Sequence, residues 1–420
     1  MAKASRDLLD QLNPWWQNHG HRYKLFDRKD YTAELVNRQD RLIQVLTGGR
    51  RVGKTSILRT VINNLLHQKV KPQHIIFITG ELREIKEQGI RRTIEILILR
   101  LKADYRAEFH IFIDEVQEIP KWQEEIKLFY DTTHFRFYVS GSSSLILTRQ
   151  TAKLTGRYRL QHVLPFSFLE FIKFNEGRIG DGSKHHSNAL KEKYLDEYLR
   201  IGGYPEYVIN KDPAYLRQCV ESTLYRELLT EYGIRNPALL QDLIYFLADK
   251  VTNEVSVKRI QKDLKIDDKT ARYYLKYLQD VYLIYPVYRA GKSNRITKGS
   301  NPKYYFNDPG VLTLMGKTPR LGHQAENCVF LQLLRKQLLQ EIPRIEYDII
   351  EGQEVDFVVD GKYYEVKAVD EINLDLLEQY ADLGKKIAII SLKSVKNYQN
   401  KFSALSLSEL KDFLTADSVK

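Results

Sequence analysis

"LIQVLTGGRRVGKTS", running from Leu42 to Ser56, decides how the first half of the chain folds. Residues 42–47 are a largely apolar run of buried-strand length, and residues 54–67 repeat apolar positions at helical spacing. Between them stand Gly48, four residues, and then Gly53-Lys54-Thr55. Glycines there let the backbone of Gly48, Gly49, Arg50, Arg51, Val52 and Gly53 curl until its N–H groups converge on phosphate oxygens. Lys54 brings a point charge to the outer phosphates, and the Thr55 hydroxyl is a ligand for Mg²⁺. Ser56 follows in the first helical turn, where the helix end adds positive partial charge. The pattern implies a bound nucleotide, ATP with Mg²⁺.

Downstream, "HIIFIT" (74–79), "HIFID" (110–114) and "FRFYVSG" (135–141) are apolar strands separated by helical patterns, which predicts an α/β layer on a parallel sheet. The second of these ends in Asp114-Glu115. Asp114 is placed to hold Mg²⁺ through water, and Glu115 to act as general base on an attacking water. That adjacent pair is expected of an ATP hydrolase rather than a passive binder. The third strand runs into "SGSSS", where Ser140 or Ser142 either senses the γ-phosphate or simply forms a serine-rich turn. In "TGRYRL", Arg157 or Arg159 is either a charge-stabilising finger reaching a neighbouring subunit's nucleotide in a homo-oligomer or a solvated surface charge.

With 420 residues, two to four domains are expected. Cys219 and Cys328 form neither a disulfide framework nor a metal cluster, as in a reducing cytoplasm. No apolar run reaches membrane-spanning length, and the N-terminus lacks the apolar stretch of a signal peptide. A soluble, cytoplasmic protein with no membrane partner is therefore expected. The net charge of +11 is uneven: residues 320–420 carry 13 basic against 17 acidic groups, so the preceding residues carry +15. A basic body suits a polyanionic partner, although solubility alone would also explain it.

Residues 174–188 are polar and glycine-containing, a predicted loop; residues 189–200, 212–231 and 238–249 are predicted helices. Residues 255–284 resolve into two short helices, the first capped by Ser256 and the second by Asp267 or Asp268. Two strand-like pieces around a basic loop follow. Three helices and a basic two-stranded piece are the layout of a winged helix. Lys269, Arg272, Tyr273 and Lys276 share one face of its recognition helix, and Arg289, Lys292, Arg295, Lys298 and Lys303 populate the wing. Those residues suit DNA phosphates, with the helix in a major groove; the alternative is a packing module with a solvated basic face.

Near the C-terminus, "EVDFVVDGKYYEVKA" (354–368) places Asp360-Gly361 between two strands, a two-residue hairpin turn. The register then sets Val359 against Lys362, Val358 against Tyr363, Asp356 against Glu365 and Glu354 against Lys367. Opposed like charges are destabilising. Either this is a wet sheet face with a Glu354–Lys367 ion pair, or a cation sits between Asp356 and Glu365, a second divalent metal that activates water while Lys367 stabilises charge.

Together these residues resemble the prokaryotic, archaeal-type AAA-family ATPases with a C-terminal winged-helix and restriction-endonuclease-like domain. The likeness spans nearly the whole chain: "NPWW" (13–16), "GGRRVGKTS", "FIDEVQEIPKW", "SGSSS", "GRYRLQHVLPFSFLEF" and "YLRIGGYPEYV" (198–208) stand in family order. It implies a P-loop ATPase core over 1–165, a helical lid over 166–235 that includes 202–206, a winged helix over 236–318 and an α/β nuclease-like domain over 319–420. Asp356, Glu365 and Lys367 match that fold's acid-x(n)-Glu-x-Lys pattern, with Val355 where the pattern has proline, and Glu326 stands where a further metal ligand is often found. The resemblance implies an ATPase that engages DNA and carries a metal-dependent nuclease site. The competing reading is an ATP-gated DNA-binding or protein-binding switch that cuts nothing.

Overall fold

Ile43–Thr47 forms β1, buried at every position, and it leads directly into the helix Lys54–His67. In the computed structural model the chain divides into two units, residues 1–163 and 164–420. The structure describes residues 3–36, 40–141, 154–179, 188–223, 234, 236–291, 301–316, 320–339, 342–368, 387–392 and 404–406.

In the first unit, β2 (Ile75–Thr79), β3 (His110–Asp114), β4 (Arg136–Gly141) and β5 (Tyr158–His162) join β1 in a wholly parallel sheet of order β2-β3-β4-β1-β5. Both faces are covered, which is why the central strands are continuous apolar runs rather than alternating ones. Ile43, Val45, Ile76, Ile78, Ile111, Ile113, Phe137 and Val139 pack with the helices Arg83–Arg100 and Trp122–Thr132.

The outer edge of β2 is covered by the "NPWW" segment. Asn13 imitates a strand there: its Oδ1 accepts from Phe77 N at 2.7 Å and its Nδ2 donates to Phe77 O at 2.9 Å. The indoles of Trp15 and Trp16 both donate to Ile75 O. An uncovered edge strand would template pairing with other chains.

The second unit begins with helices. Residues 174–179, expected as loop, continue the helix Phe168–Ile179. Phe168, Phe171 and Ile172 bury its start, and Asn175 Nδ2 donates back to Phe171 O, so the polar residues extend an anchored helix. The helix Asn188–Ile201 then stops at Gly202-Gly203, and the helix Pro205–Asn210 follows. The stop is dictated by contact. Gly203 N donates to Asp308 Oδ2 at 2.7 Å, and a Cβ on Gly203 would lie 2.2 Å from Phe166 O. Asp308 also caps the helix Pro309–Met315 by accepting from Gly310 N and Val311 N.

The helices Pro237–Asp249, Val257–Leu264 and Asp268–Asp280 come next, the last two capped by Ser256 and Asp267 as predicted. β6 (Ile284–Arg289) and β7 (Lys303–Phe306) pair antiparallel. They do not form a separate hairpin. β6 also pairs in parallel with β8 (Glu346–Ile350), so both belong to a seven-stranded sheet with β9 (Gln353–Val359), β10 (Lys362–Lys367), β11 (Ile387–Ser391) and β12 (Ala404–Ser406). Its order is β12-β11-β10-β9-β8-β6-β7, with the helix Leu321–Leu338 packed on it. The sheet crosses the boundary expected between residues 318 and 319.

Candidate functional site

Gly53 enters the helix Lys54–His67 in the left-handed region, φ 98°, and Gly48 passes so near Val163 that a Cβ would lie 2.2 Å from its carbonyl oxygen. Only glycine serves at either position. The buried Lys54 ammonium donates to the carbonyls of Gly48 and Gly49, both at 2.9 Å, so it points into the loop it serves.

β4 lies between β1 and β3, which brings the end of β3 across to the loop. Asp114 Oδ2 accepts from Thr55 Oγ1 at 2.7 Å, and its Oδ1 accepts from Ser140 Oγ. A hydroxyl and a carboxylate side by side at a strand end are the hard oxygen donors Mg²⁺ takes, and the loop amides with Lys54 suit its phosphates. The residues fit the group. Glu115 is next in the chain, in the left-handed region at φ 48°, with Oε2 accepting from Gln117 Nε2 at 2.5 Å.

Sequence reasoning missed Arg28. It is buried and donates to Val52 O at 2.9 Å from beneath the loop, with its guanidinium 4.7 Å from the Tyr31 ring. A lone arginine in "DRKDY" carries no spacing signal that would reveal this. Arg157, read either as a finger to a neighbour's nucleotide or as a solvated surface charge, pairs with Asp131 at 2.9 Å within its own unit, and Arg159 pairs with Glu34. Ser142 lies outside the described residues.

At the hairpin, Asp360 and Gly361 both take positive φ, 51° and 72°, and the pairs Val359–Lys362, Val358–Tyr363 and Phe357–Tyr364 form in the expected register. There the ladder stops. Asp356 Oδ2 accepts from Val366 N at 2.8 Å, and Asp356 N donates to Glu365 Oε2 at 3.3 Å, so side chains replace backbone pairing. The acids are brought together as predicted, with Glu326 from the helix Leu321–Leu338, but the face is buried rather than wet: Asp356 is 8% exposed, Glu365 3% and Glu326 8%.

A cation does sit among them, and it belongs to the chain. Lys303, wholly buried, places its Nζ 2.6 Å from Glu354 Oε1, 3.6 Å from Glu326 Oε1 and 3.8 Å from Asp356 Oδ1. Burial works against its charge, but Glu326, Asp356 and Glu354 outweigh it and hold the ammonium above its ordinary pKa. Burial pushes Glu326 up to about 7 and Asp356 well above the carboxylate range. Lys367 pairs with Glu365 Oε1 at 2.5 Å, and Tyr305 OH donates to Glu326.

One expectation is corrected here. Lys303 is not a wing residue open to phosphate, because β7 faces it inward beneath the helix that carries Glu326. Glu326 and Asp356, expected to hold a second metal with Glu365, face the Lys303 ammonium, and Glu365 faces Lys367; among the described residues no group of three or more His, Cys, Asp or Glu is arranged to hold a metal ion. Oxygens of these acids are engaged by Lys303, Lys367, Tyr305 and backbone amides.

On the helix Asp268–Asp280, Lys269, Arg272, Tyr273 and Lys276 are exposed while Ala271, Tyr274, Leu275 and Leu278 are buried. Lys269 lies 5.8 Å over the Tyr273 ring, Tyr273 stacks on Tyr277, and Arg272 pairs with Asp268. Arg289 is turned to β8, donating to Ile349 O and pairing with Asp348. Lys292, Arg295 and Lys298 lie outside the described residues.

A family model described as an AAA domain matches residues 40–172. Most of the first unit therefore lies within a match to an AAA domain. A second family model, described as a domain of unknown function, matches residues 192–321, downstream of the AAA domain. An uncharacterized protein of Methanocaldococcus jannaschii is 28% identical over 350 residues, covering 80% of this chain and 77% of its own. An uncharacterized protein of Haemophilus influenzae is 24% identical, covering 80% of this chain and 84% of its own. Among solved structures, the Aeropyrum pernix ORC1 protein in complex with DNA aligns over 72% of this chain and 95% of its own at 13% identity and a TM-score of 0.31. No helix among the described residues is long and apolar enough to cross a membrane.

Proposed function

We propose that the AAA domain binds and hydrolyses Mg-ATP and that the chain couples this cycle to engagement of DNA. The carrying observation is the meeting of Lys54, Thr55, Asp114 and Ser140 at the glycine loop, with Glu115 one residue beyond Asp114. Loop amides and Lys54 bind the triphosphate, Thr55 and Asp114 hold the metal, and Glu115 takes the proton of the attacking water. Bound Mg²⁺ supplies charge neutralisation for the phosphoryl oxygens. Lys54→Ala is expected to abolish nucleotide binding. Glu115→Gln is expected to keep binding and lose turnover by about 10²–10⁴-fold, the usual contribution of a general base. ATP affinity and single-turnover hydrolysis check both, and a Glu115→Gln protein that turns over normally removes Glu115 from the chemistry.

The DNA reading is supported by the basic and aromatic face of the helix Asp268–Asp280, in a module we read as a winged helix. Replacing Lys269, Arg272 and Lys276 together with Ala should weaken DNA binding and reduce its slope against log salt by up to about 0.9 per lost phosphate contact. An unchanged affinity and slope would leave the helix as a packing element.

A nuclease reading is favoured by one observation, that the fold collects Asp356, Glu365, Lys367 and Glu326. It stands second, because it asks for a divalent cation where Lys303 sits. Incubation of several DNA forms with Mg²⁺ or Mn²⁺, with and without ATP, tests it: cleavage lost in Asp356→Asn would promote it.

A further inference from the structure

We infer that Lys303 is the resident cation of the hairpin's acid cluster, a tethered ammonium that keeps divalent metal out of it. The inference bears on the nuclease reading and is independent of ATP hydrolysis.

Lys303 enters from β7, remote in sequence from the hairpin, and its Nζ reaches Glu354, Glu326 and Asp356 at 2.6, 3.6 and 3.8 Å. The Tyr347 ring lies 5.2 Å from the same nitrogen. An aromatic face stabilises an ammonium and offers a divalent metal no ligand atom. Several of these oxygens have further partners: Asp356 Oδ2 accepts from Val366 N, Glu326 Oε1 from Tyr305 OH, and Glu365 meets Lys367 and Asp356 N. Mg²⁺ needs near-octahedral oxygens at about 2.0–2.1 Å. An ion bound to Asp356 and Glu326 would lie beside the buried ammonium, where like charges are poorly screened. Among the described residues, four acidic side chains nonetheless pair with two ammonium groups, Lys303 and Lys367. Removing Lys303 therefore leaves a strongly acidic cavity that is open to a metal.

The test is Mn²⁺ binding to nucleotide-free, full-length protein, read as loss of the free-ion electron paramagnetic resonance signal. Wild type, Asp356→Asn, Lys303→Met and the double variant are compared, with thermal melts confirming that each is folded. Wild type and Asp356→Asn should bind Mn²⁺ alike, whatever the phosphate loop contributes to both. Lys303→Met should gain a site at least tenfold tighter than any in wild type, and the double variant should lose it. A site that wild type has and Asp356→Asn lacks overturns the inference, and so does a folded Lys303→Met that gains none. If Lys303→Met does not fold, Lys303→Gln replaces it, and the first comparison stands without either. DNA cleavage in the same proteins is scored separately. Gain of Mn²⁺ without cutting keeps the inference and removes the nuclease reading.

Discussion

His110 opens β3 and stacks on Tyr138, with Glu108 3.5 Å from its Nε2. Burial drives its pKa down to about 4, Glu108 pulls it back, and Arg136 and His74 add to the fall. Below the ordinary value near 6.5, the unfolded chain therefore binds a proton that the folded one refuses. Stability must then be lost as pH drops from about 6.5 toward 4, by up to about 3 kcal/mol at 1.36 kcal/mol per unit. Urea midpoints at about pH 7 and about pH 5 should differ more in wild type than in His110→Gln. An equal difference would mean that the imidazole is charged in the fold. Single residues were also where the sequence was least legible. Lys303 stands beside a basic loop, so its surroundings in the chain suggest solvent and phosphate. Strand alternation puts it on the same face as Tyr305, but only packing decides which face is buried.

Strands, helices and caps were far more legible, because each rests on local pattern. The Ile43–Thr47 strand, the loop and the helix Lys54–His67 follow from periodicity and glycine placement, and the hairpin register follows from Asp360-Gly361. What local pattern cannot show is one element serving another at a distance. Asn13 is such a case, a buried amide bonded to both backbone groups of Phe77. Asn13→Ala leaves that edge donor and acceptor unpaired, at about 1–3 kcal/mol for each buried group. A drop of about 2–4 kcal/mol in chemical denaturation is expected, together with faster aggregation as the β2 edge is exposed. Gly203 is a second case: its partner Asp308 is remote in sequence. Gly203→Ala drives a Cβ toward the Phe166 carbonyl, a backbone atom that cannot rotate away. A loss of about 3 kcal/mol or more is expected. If Gly203→Ala melts like wild type, the close approach of these segments is wrong.

For the whole molecule the sequence divides the chain by motif, whereas the structure divides it by sheet. The five parallel strands and the complete phosphate loop lie within residues 1–163. By contrast, the seven-stranded sheet takes β6 and β7 from before residue 318 and β8 to β12 from after it. Two truncations therefore have opposite outcomes. A chain ending at Val163 retains every strand of its sheet and is expected to unfold cooperatively and to bind ATP. A chain ending at Gly316 keeps β6 and β7 but strips β8 from β6, and it leaves Lys303 without Glu326, Glu354 and Asp356. A buried charge deprived of its partners costs about 3–5 kcal/mol, and a bared sheet edge adds to it. Residues 164–316 of that chain should be cut rapidly by protease while residues 1–163 resist, with ATP affinity near that of the full chain. If that segment resists protease as well as it does in the full protein, the helical module is a domain of its own and β6–β7 belong to it rather than to the C-terminal sheet.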